Sequence, residues 1–508
     1  MQESIRRNNN ILLIFPPMTA KYAPNPMDIP VPHIGVAYIA ALLKSKKYNV
    51  DIIDCPAEEI NLLGLYSKIE NKAYDIIGIS TYYFNSSSVI RIVQKIRKQF
   101  KDTFIFLGGM LPTLSPTEVL KNFKGINCCV IGEGEQTVLE LVERLALNNT
   151  WNDIEGLAYK NDENEIIFTP KRKLVTDLDT LPFPYRIVPK RELYTPVLTS
   201  RGCYGKCNFC SIESYYSTCI GQKIRVRNPI RVVDEIEALV SQGHDNIKFN
   251  DENFNFSSRN GKVWFSEFYN EIKKRNIKAK YVIDIRVNEV IHGEEEIKKF
   301  LEIGLEFVFI GVESFIQSHL DFFKKKVTVQ ENILAMKILD NLNASYRIGL
   351  LLFNPITTLD DIKDSLDIIE KVYYKRVENI MKPISVFQPV IAVAGTEIYE
   401  YVIQKGLYKN NGRGYRFANV ETEIYYNIIC KWSRFIKTIY ENRFLVGKND
   451  INAKKIFREI YLLDLKFMKK TLSDIQDYGI LDEKYYDDLI SKYESTANFV
   501  IDRHKDIY

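Results

Sequence analysis

What this chain has little of narrows it first. It carries only 8 cysteines in 508 residues, too sparse for a disulfide framework, and in a reducing compartment they stay thiols. Long apolar runs are missing: the longest, such as 11–15 and 307–312, fall far short of the roughly 18 residues that span a bilayer. The opening MQESIRRNNN is followed by the short run ILLIF before Pro16 and Pro17, which is no signal-peptide core of about 7 to 15 apolar residues. A cytoplasmic protein with no membrane partner is expected. An excess of one charge is missing too. With 69 Lys+Arg against 65 Asp+Glu the formal net charge is +4, which gives no electrostatic reason to expect a nucleic-acid partner. What is present is the apolar content of a folded protein, 46% hydrophobic, over a length that suggests about three domains.

From residue 11 to about 148 short β-branched runs alternate with helical patterns, the βαβ signature of a parallel sheet covered on both faces. Strands are expected at 11–15, 49–54, 75–81, 104–109 and 128–132, and helices at 33–47, 87–100, 113–123 and 136–147. This is a Rossmann-like domain over 1–150. Residues 151–190 read as a hairpin followed by a proline-rich linker that neither helix nor central strand tolerates. Alternation then resumes, with strands expected at 196–200, 247–250, 279–285, 307–312, 346–353 and 384–390, and helices at 231–242, 262–275, 294–303, 330–341 and 359–374. Six βα units over 191–395 make a partial (β/α)6 barrel, short of the closed eight-unit form. Residues 396–508 read as a helical domain rich in tyrosine, Tyr415, Tyr425 and Tyr426 among them. Tyrosines at helical spacing usually pack in a core, and the alternative is a roof over a substrate cavity.

Immediately after the first barrel strand stands Cys203-Tyr204-Gly205-Lys206-Cys207-Asn208-Phe209-Cys210, three thiols spaced C-x3-C-x2-C. Three thiolates on one short loop can face a common metal centre. Structural zinc takes four ligands, and Cys219 is the only other thiol in this stretch, so a zinc site with Cys219 or three unconnected cysteines are the alternatives. An iron–sulfur cluster can be held by three thiolates, leaving one iron open.

The loop resembles the signature of the radical S-adenosylmethionine (SAM) superfamily, in which an aromatic precedes the last cysteine; Phe209 stands there. The resemblance implies a [4Fe-4S] cluster on Cys203, Cys207 and Cys210, with SAM chelating the open iron. One electron passed from the reduced cluster to the sulfonium would give methionine and a 5′-deoxyadenosyl radical able to take hydrogen from unactivated carbon. It further implies that Asp251 and Glu252, where the family binds the SAM amino group, suit an ammonium, though the Gly-Gly-Glu form is absent and helix capping is the alternative. Glu313 would accept from ribose hydroxyls. Arg286 would pair with the SAM carboxylate, a structural salt bridge being the rival role.

A Rossmann-like domain ahead of such a barrel resembles the cobalamin-binding branch of the superfamily, over roughly 10–390. The matching segments run from residue 31 through His33 to 40, from Gly108 and Gly109 to Thr113, and from 130 through Gly132 and Glu133 to Thr137. Glycines at strand ends let backbone approach a large planar cofactor. The D-x-H-x-x-G motif that offers cobalt a histidine is absent, which implies cobalamin held without a protein nitrogen below the metal; a domain retained only as scaffold is the alternative. NAD is disfavoured because no G-x-G-x-x-G follows ILLIF. The resemblance implies a methyltransferase acting on an unactivated carbon of a small-molecule or peptide natural-product precursor, with an external low-potential donor such as flavodoxin or ferredoxin. Radical rearrangement, cyclisation or oxidation without methyl transfer is a second reading, and a non-catalytic iron–sulfur sensor a third.

Overall fold

The computed structural model describes residues 9–18, 32–70, 72–187, 194–373, 385, 389–411, 413–442 and 451–503. The chain divides into two compact units, Met1–Lys206 with Cys210–Asp284 and Lys299–Leu305, and Cys207–Phe209 with Ile285–Lys298 and Glu306–Tyr508.

In the first unit, strands β1 (Asn10–Phe15), β2 (Asn49–Asp54), β3 (Ile76–Ser80), β4 (Phe104–Gly108), β5 (Cys128–Val130), β6 (Leu157–Lys160) and β7 (Ile166–Phe168) form a sheet in the order β2-β1-β3-β4-β5-β6-β7. The first five run parallel, Ile11 pairing with Val50 on one side and Ile76 on the other. Because side chains alternate across a strand, Leu12 and Ile14 face one layer and Ile11 and Leu13 the other. The first layer packs Leu12, Ile77 and Leu107 against Val89, Ile92 and Ile96 of the helix Ser86–Gln99. The opposite layer packs Ile11, Ile76 and Val130 against Ala40 and Leu43 of Ile34–Ser45 and Leu141 of Glu135–Ala146. Each buried Leu, Ile or Val among them contributes about 1.5–3 kcal/mol by leaving water.

The expected helix over 113–123 is instead two, Met110–Leu114 and Pro116–Asn122. Pro116 fits the first turn of a new helix and disfavours helical backbone at Ser115. The hairpin β6-β7 joins β5 antiparallel and so extends this sheet. The helix Leu62–Ile69 was not expected, although its Leu62, Leu65, Tyr66 and Ile69 stand at helical spacing and face the first layer.

Beyond the hairpin, β8 (Thr195–Val197), β11 (Asn246–Phe249) and β12 (Lys280–Arg286) pair in parallel, Phe249 against Val197 and Lys248 against Val282. Between β8 and β11 a small antiparallel ladder, β9 (Ser200–Arg201) with β10 (Arg225–Val226), flanks the cysteine loop. Phe249, Phe254, Phe268 and Tyr281 interlock behind β11, the rings of Phe249 and Tyr281 stacked at 5.7 Å.

In the second unit β13 (Leu305–Glu313) runs parallel to β14 (Tyr346–Leu350). The helices Val329–Asn341 and Leu359–Ile368 each begin in a capping box, Thr328 with Glu331 and Thr358 with Asp361. The expected strand over 384–390 falls for the most part outside the described residues. Among the described residues four C-terminal helices follow: Glu397–Gln404, Val420–Asn442, Ile451–Tyr478 and Glu483–Arg503. Trp432 anchors them, its ring stacked on Phe467 at 4.6 Å and its indole N–H donated to Asp464 at 2.8 Å. Tyr425 is fully buried and donates to the Met468 carbonyl, so it serves as packing.

Candidate cofactor chamber and cysteine loop

The loops after β4 and β5 are shaped by glycines that admit no side chain. Gly109 has φ +97° and a Cβ there would meet the Thr81 carbonyl oxygen at 3.0 Å; Gly132 has φ +76° and a Cβ would stand 2.1 Å from Cys219 Sγ. With Gly78, Gly108 and Gly134 they line a cavity of about 900 Å³. Bare backbone at the ends of parallel strands suits a large flat ligand such as a corrin. Other walls come from Phe15, His33, Tyr38 and Tyr82, and from Arg201, Tyr215, Tyr216, Asn250 and Glu252 around the cysteine loop.

His33 begins the helix Ile34–Ser45. Its Nδ1 accepts the Val36 N–H at 3.1 Å, and its Nε2 lies 3.1 Å from Tyr82 Oη and 3.3 Å from Ser80 Oγ. An accepting Nδ1 places the proton of the neutral ring on Nε2, where Tyr82 and Ser80 receive it. Burial pushes its pKa down to about 4. The ring is therefore neutral near pH 7 with both nitrogens engaged, and neither offers a lone pair to a metal.

Glu133, expected at the corrin loop, is the centre of a buried ion network. Its Oε1 accepts from Arg201 at 3.0 Å and Arg225 at 2.7 Å, and its Oε2 accepts from Arg225 at 2.8 Å; Arg201 also reaches Glu135 at 2.6 Å. Burial raises the Glu133 pKa, but the two guanidiniums outweigh it and hold the carboxyl below its ordinary value. Arg201 and Arg225 are paired across β9 and β10, so the loop after β5 is tied to the strand that enters the cysteine loop. Sequence reading missed both arginines. The juxtaposition of Arg201 with Gly202-Cys203 was the available signal.

Asp251 and Glu252 cap no helix; they brace the backbone that leads to Cys203. Asp251 Oδ1 accepts the Thr199 and Ser200 N–H groups at 2.8 and 2.9 Å and its Oδ2 takes the Thr199 hydroxyl. Burial raises its pKa to about 7 against the pull of those donors. Glu252 accepts the Gly202 N–H at 3.0 Å and the Tyr216 hydroxyl at 2.9 Å while lining the cavity.

The cysteine loop itself has donors for its sulfurs. Cys203 Sγ accepts the Gly205 N–H at 3.3 Å. In the second unit Cys207 Sγ accepts from Arg286 Nη1 at 3.3 Å, and the Phe209 ring meets Phe323 edge-on at 5.1 Å. Among the described residues no three His, Cys, Asp or Glu side chains are gathered into a ready-made metal site; what the loop offers is three soft thiol donors at C-x3-C-x2-C spacing. Glu313 closes β13 at φ +65° and its carboxylate is held by Lys325 at 2.8 Å. Arg286 ends β12 and donates its other arm to the Lys325 carbonyl at 2.8 Å.

Two family models match this chain: the B12 binding domain over residues 28–142 and the radical SAM superfamily over residues 197–369. It is a radical SAM enzyme with a cobalamin-binding domain. The two domains bring the cofactor set with them: cobalamin for the first, and a [4Fe-4S] cluster with SAM for the second. Among its relatives, a protein of Pyrococcus horikoshii named an uncharacterized methyltransferase is 27% identical over 408 residues, covering 78% of this chain and 84% of that one. An anaerobic magnesium-protoporphyrin IX monomethyl ester cyclase of Rubrivivax gelatinosus is 29% identical over 325 residues, 61% of this chain and 56% of the cyclase. The solved structure of the cobalamin-dependent SAM radical enzyme OxsB, with aqua-cobalamin and SAM bound, matches 98% of this radical SAM enzyme and 81% of its own chain at TM-score 0.78 and 16% identity, which shows a shared fold. Radical SAM enzymes need a reductant and a small-molecule or peptide substrate. No helix among the described residues is long and apolar enough to cross a membrane.

Proposed function

We propose that this enzyme methylates an unactivated carbon of a small-molecule or peptide natural-product precursor in the cytoplasm, drawing electrons from a flavodoxin- or ferredoxin-like donor. The observation that carries the reading is the cavity, whose wall joins glycine loops suited to a corrin with Arg201, Asn250 and Glu252 around the cysteine loop. A methyl carrier and a radical source would share one chamber. When bound, cobalamin supplies a transferable methyl group, and SAM on the cluster supplies a hydrogen-abstracting radical. Cys203, Cys207 and Cys210 would hold the cluster, and Gly108, Gly109 and Gly132 the corrin. Glu252, braced against Gly202 and lining the cavity, would offer its carboxylate to the SAM ammonium. His33, neutral and hydrogen-bonded at both ring nitrogens, would not be offered to the cobalt as a ligand. The aromatic walls Phe15, Tyr38 and Tyr215 exclude water from the reaction.

Turnover with methyl-deuterated SAM tests this directly. The product should carry the intact CD3 group, with 5′-deoxyadenosine and S-adenosylhomocysteine formed together. Similarity to the cyclase supports a second reading, radical cyclisation or oxidation without methyl transfer. Product without deuterium, or deoxyadenosine without S-adenosylhomocysteine, would select it.

A further inference from the structure

We infer that Arg286 donates a charged hydrogen bond to the sulfur of a cluster ligand, Cys207, and thereby raises the reduction potential of the cluster. The inference rests on the assignment of Cys203, Cys207 and Cys210 as cluster ligands. Arg286 and Cys207 are only 8% and 7% exposed, and Nη1 stands 3.3 Å from Sγ. The guanidinium is aimed from its other side: Nη2 donates to the Lys325 carbonyl at 2.8 Å. That carbonyl is presented by a tight turn in which both neighbours, Lys324 and Lys326, take left-handed backbone at φ +53° and +57°, and the buried Lys325 ammonium is fastened to Glu313. Cys207 is fixed as well. The next residue, Asn208, donates its backbone N–H to the Phe323 carbonyl at 3.1 Å and its side-chain amide to the Phe322 carbonyl at 2.6 Å. Sulfur and donor are thus both anchored to the one segment 322–325, within the same unit.

Reduction adds an electron whose density spreads onto the cluster sulfurs and their thiolates. An N–H donor and a positive charge at one thiolate stabilise that added charge, more so where water is excluded, which moves the potential upward. This assigns Arg286 a tuning role at the cluster in place of one at the SAM carboxylate.

The test uses the anaerobically reconstituted full chain without SAM. The cluster midpoint, followed by electron paramagnetic resonance during redox titration, should fall to a more negative value in Arg286→Met. Arg286→Lys, which keeps the charge and loses the planar fork, should fall between the two. In wild-type protein labelled with ¹⁵N-arginine, pulsed resonance of the reduced cluster should show a weak ¹⁵N coupling. An unshifted midpoint in a cluster-loaded Arg286→Met, or absence of the ¹⁵N coupling, overturns the inference; so does a weakened SAM affinity in Arg286→Met with the midpoint unchanged, the result of a carboxylate role. If Arg286→Met assembles no cluster, the ¹⁵N experiment on wild-type protein decides alone. Wild-type protein that assembles no cluster would instead refute the ligand assignment on which the inference stands.

Discussion

At the scale of single residues, burial decides which acids and bases are available for chemistry. Asp251 accepts three hydrogen bonds from Thr199 and Ser200, and burial raises its pKa to about 7 against them. An acid whose folded pKa lies above its unfolded value costs stability as pH rises between the two values. Asp251→Asn removes that dependence. Between pH 5 and pH 8 the wild type should lose about 2 to 3 kcal/mol more than the variant, as read from urea unfolding at both pH values; equal pH slopes would contradict the assignment. His33 carries the opposite lesson. With its Nδ1 capping a helix and its Nε2 facing Tyr82 and Ser80, cobalt(II) cobalamin bound to the protein should show no hyperfine splitting from a histidine nitrogen. Such splitting would show that the network opens to ligate the metal.

At the scale of elements, the strands were legible because buried parallel strands read as short runs of Ile, Leu and Val, as ILLIF at β1 does. The cysteine loop stood out because its three thiols, Cys203, Cys207 and Cys210, fall within eight residues at C-x3-C-x2-C spacing. What was not legible depends on residues far apart in sequence. Arg201 and Glu133 meet across 68 positions and Arg286 and Cys207 across 79, and nothing local to either partner announces the other. The break at Ser115 was signalled by Pro116, which opens a helix far better than it continues one, but the apolar pattern over 113–123 was read straight through it. The Glu133 network belongs at this scale, since it ties the loop after β5 to β9 and β10. Removing its centre leaves two buried guanidiniums without their shared carboxylate, so Glu133→Ala should cost about 3–5 kcal/mol of unfolding free energy. A loss under about 1 kcal/mol, the range of surface pairs, would mean that water reaches the network.

At the scale of the whole molecule, the chain reads as two cofactor domains followed by helices whose buried aromatic residues, Trp432 and Tyr425 among them, serve to pack. The glycine loops and the residues that flank the cysteine loop lie in separate stretches of sequence, and only folding brings Gly132 and Glu252 to line one cavity. The central claim is that one chain holds both groups. Iron and cobalt counted together in the anaerobically reconstituted full chain test it most directly: about four irons and about one cobalt per chain are expected, with Cys203→Ala, Cys207→Ala or Cys210→Ala losing iron while retaining cobalt. Iron without cobalt in the wild type, or full iron in any of the three variants, would contradict the account.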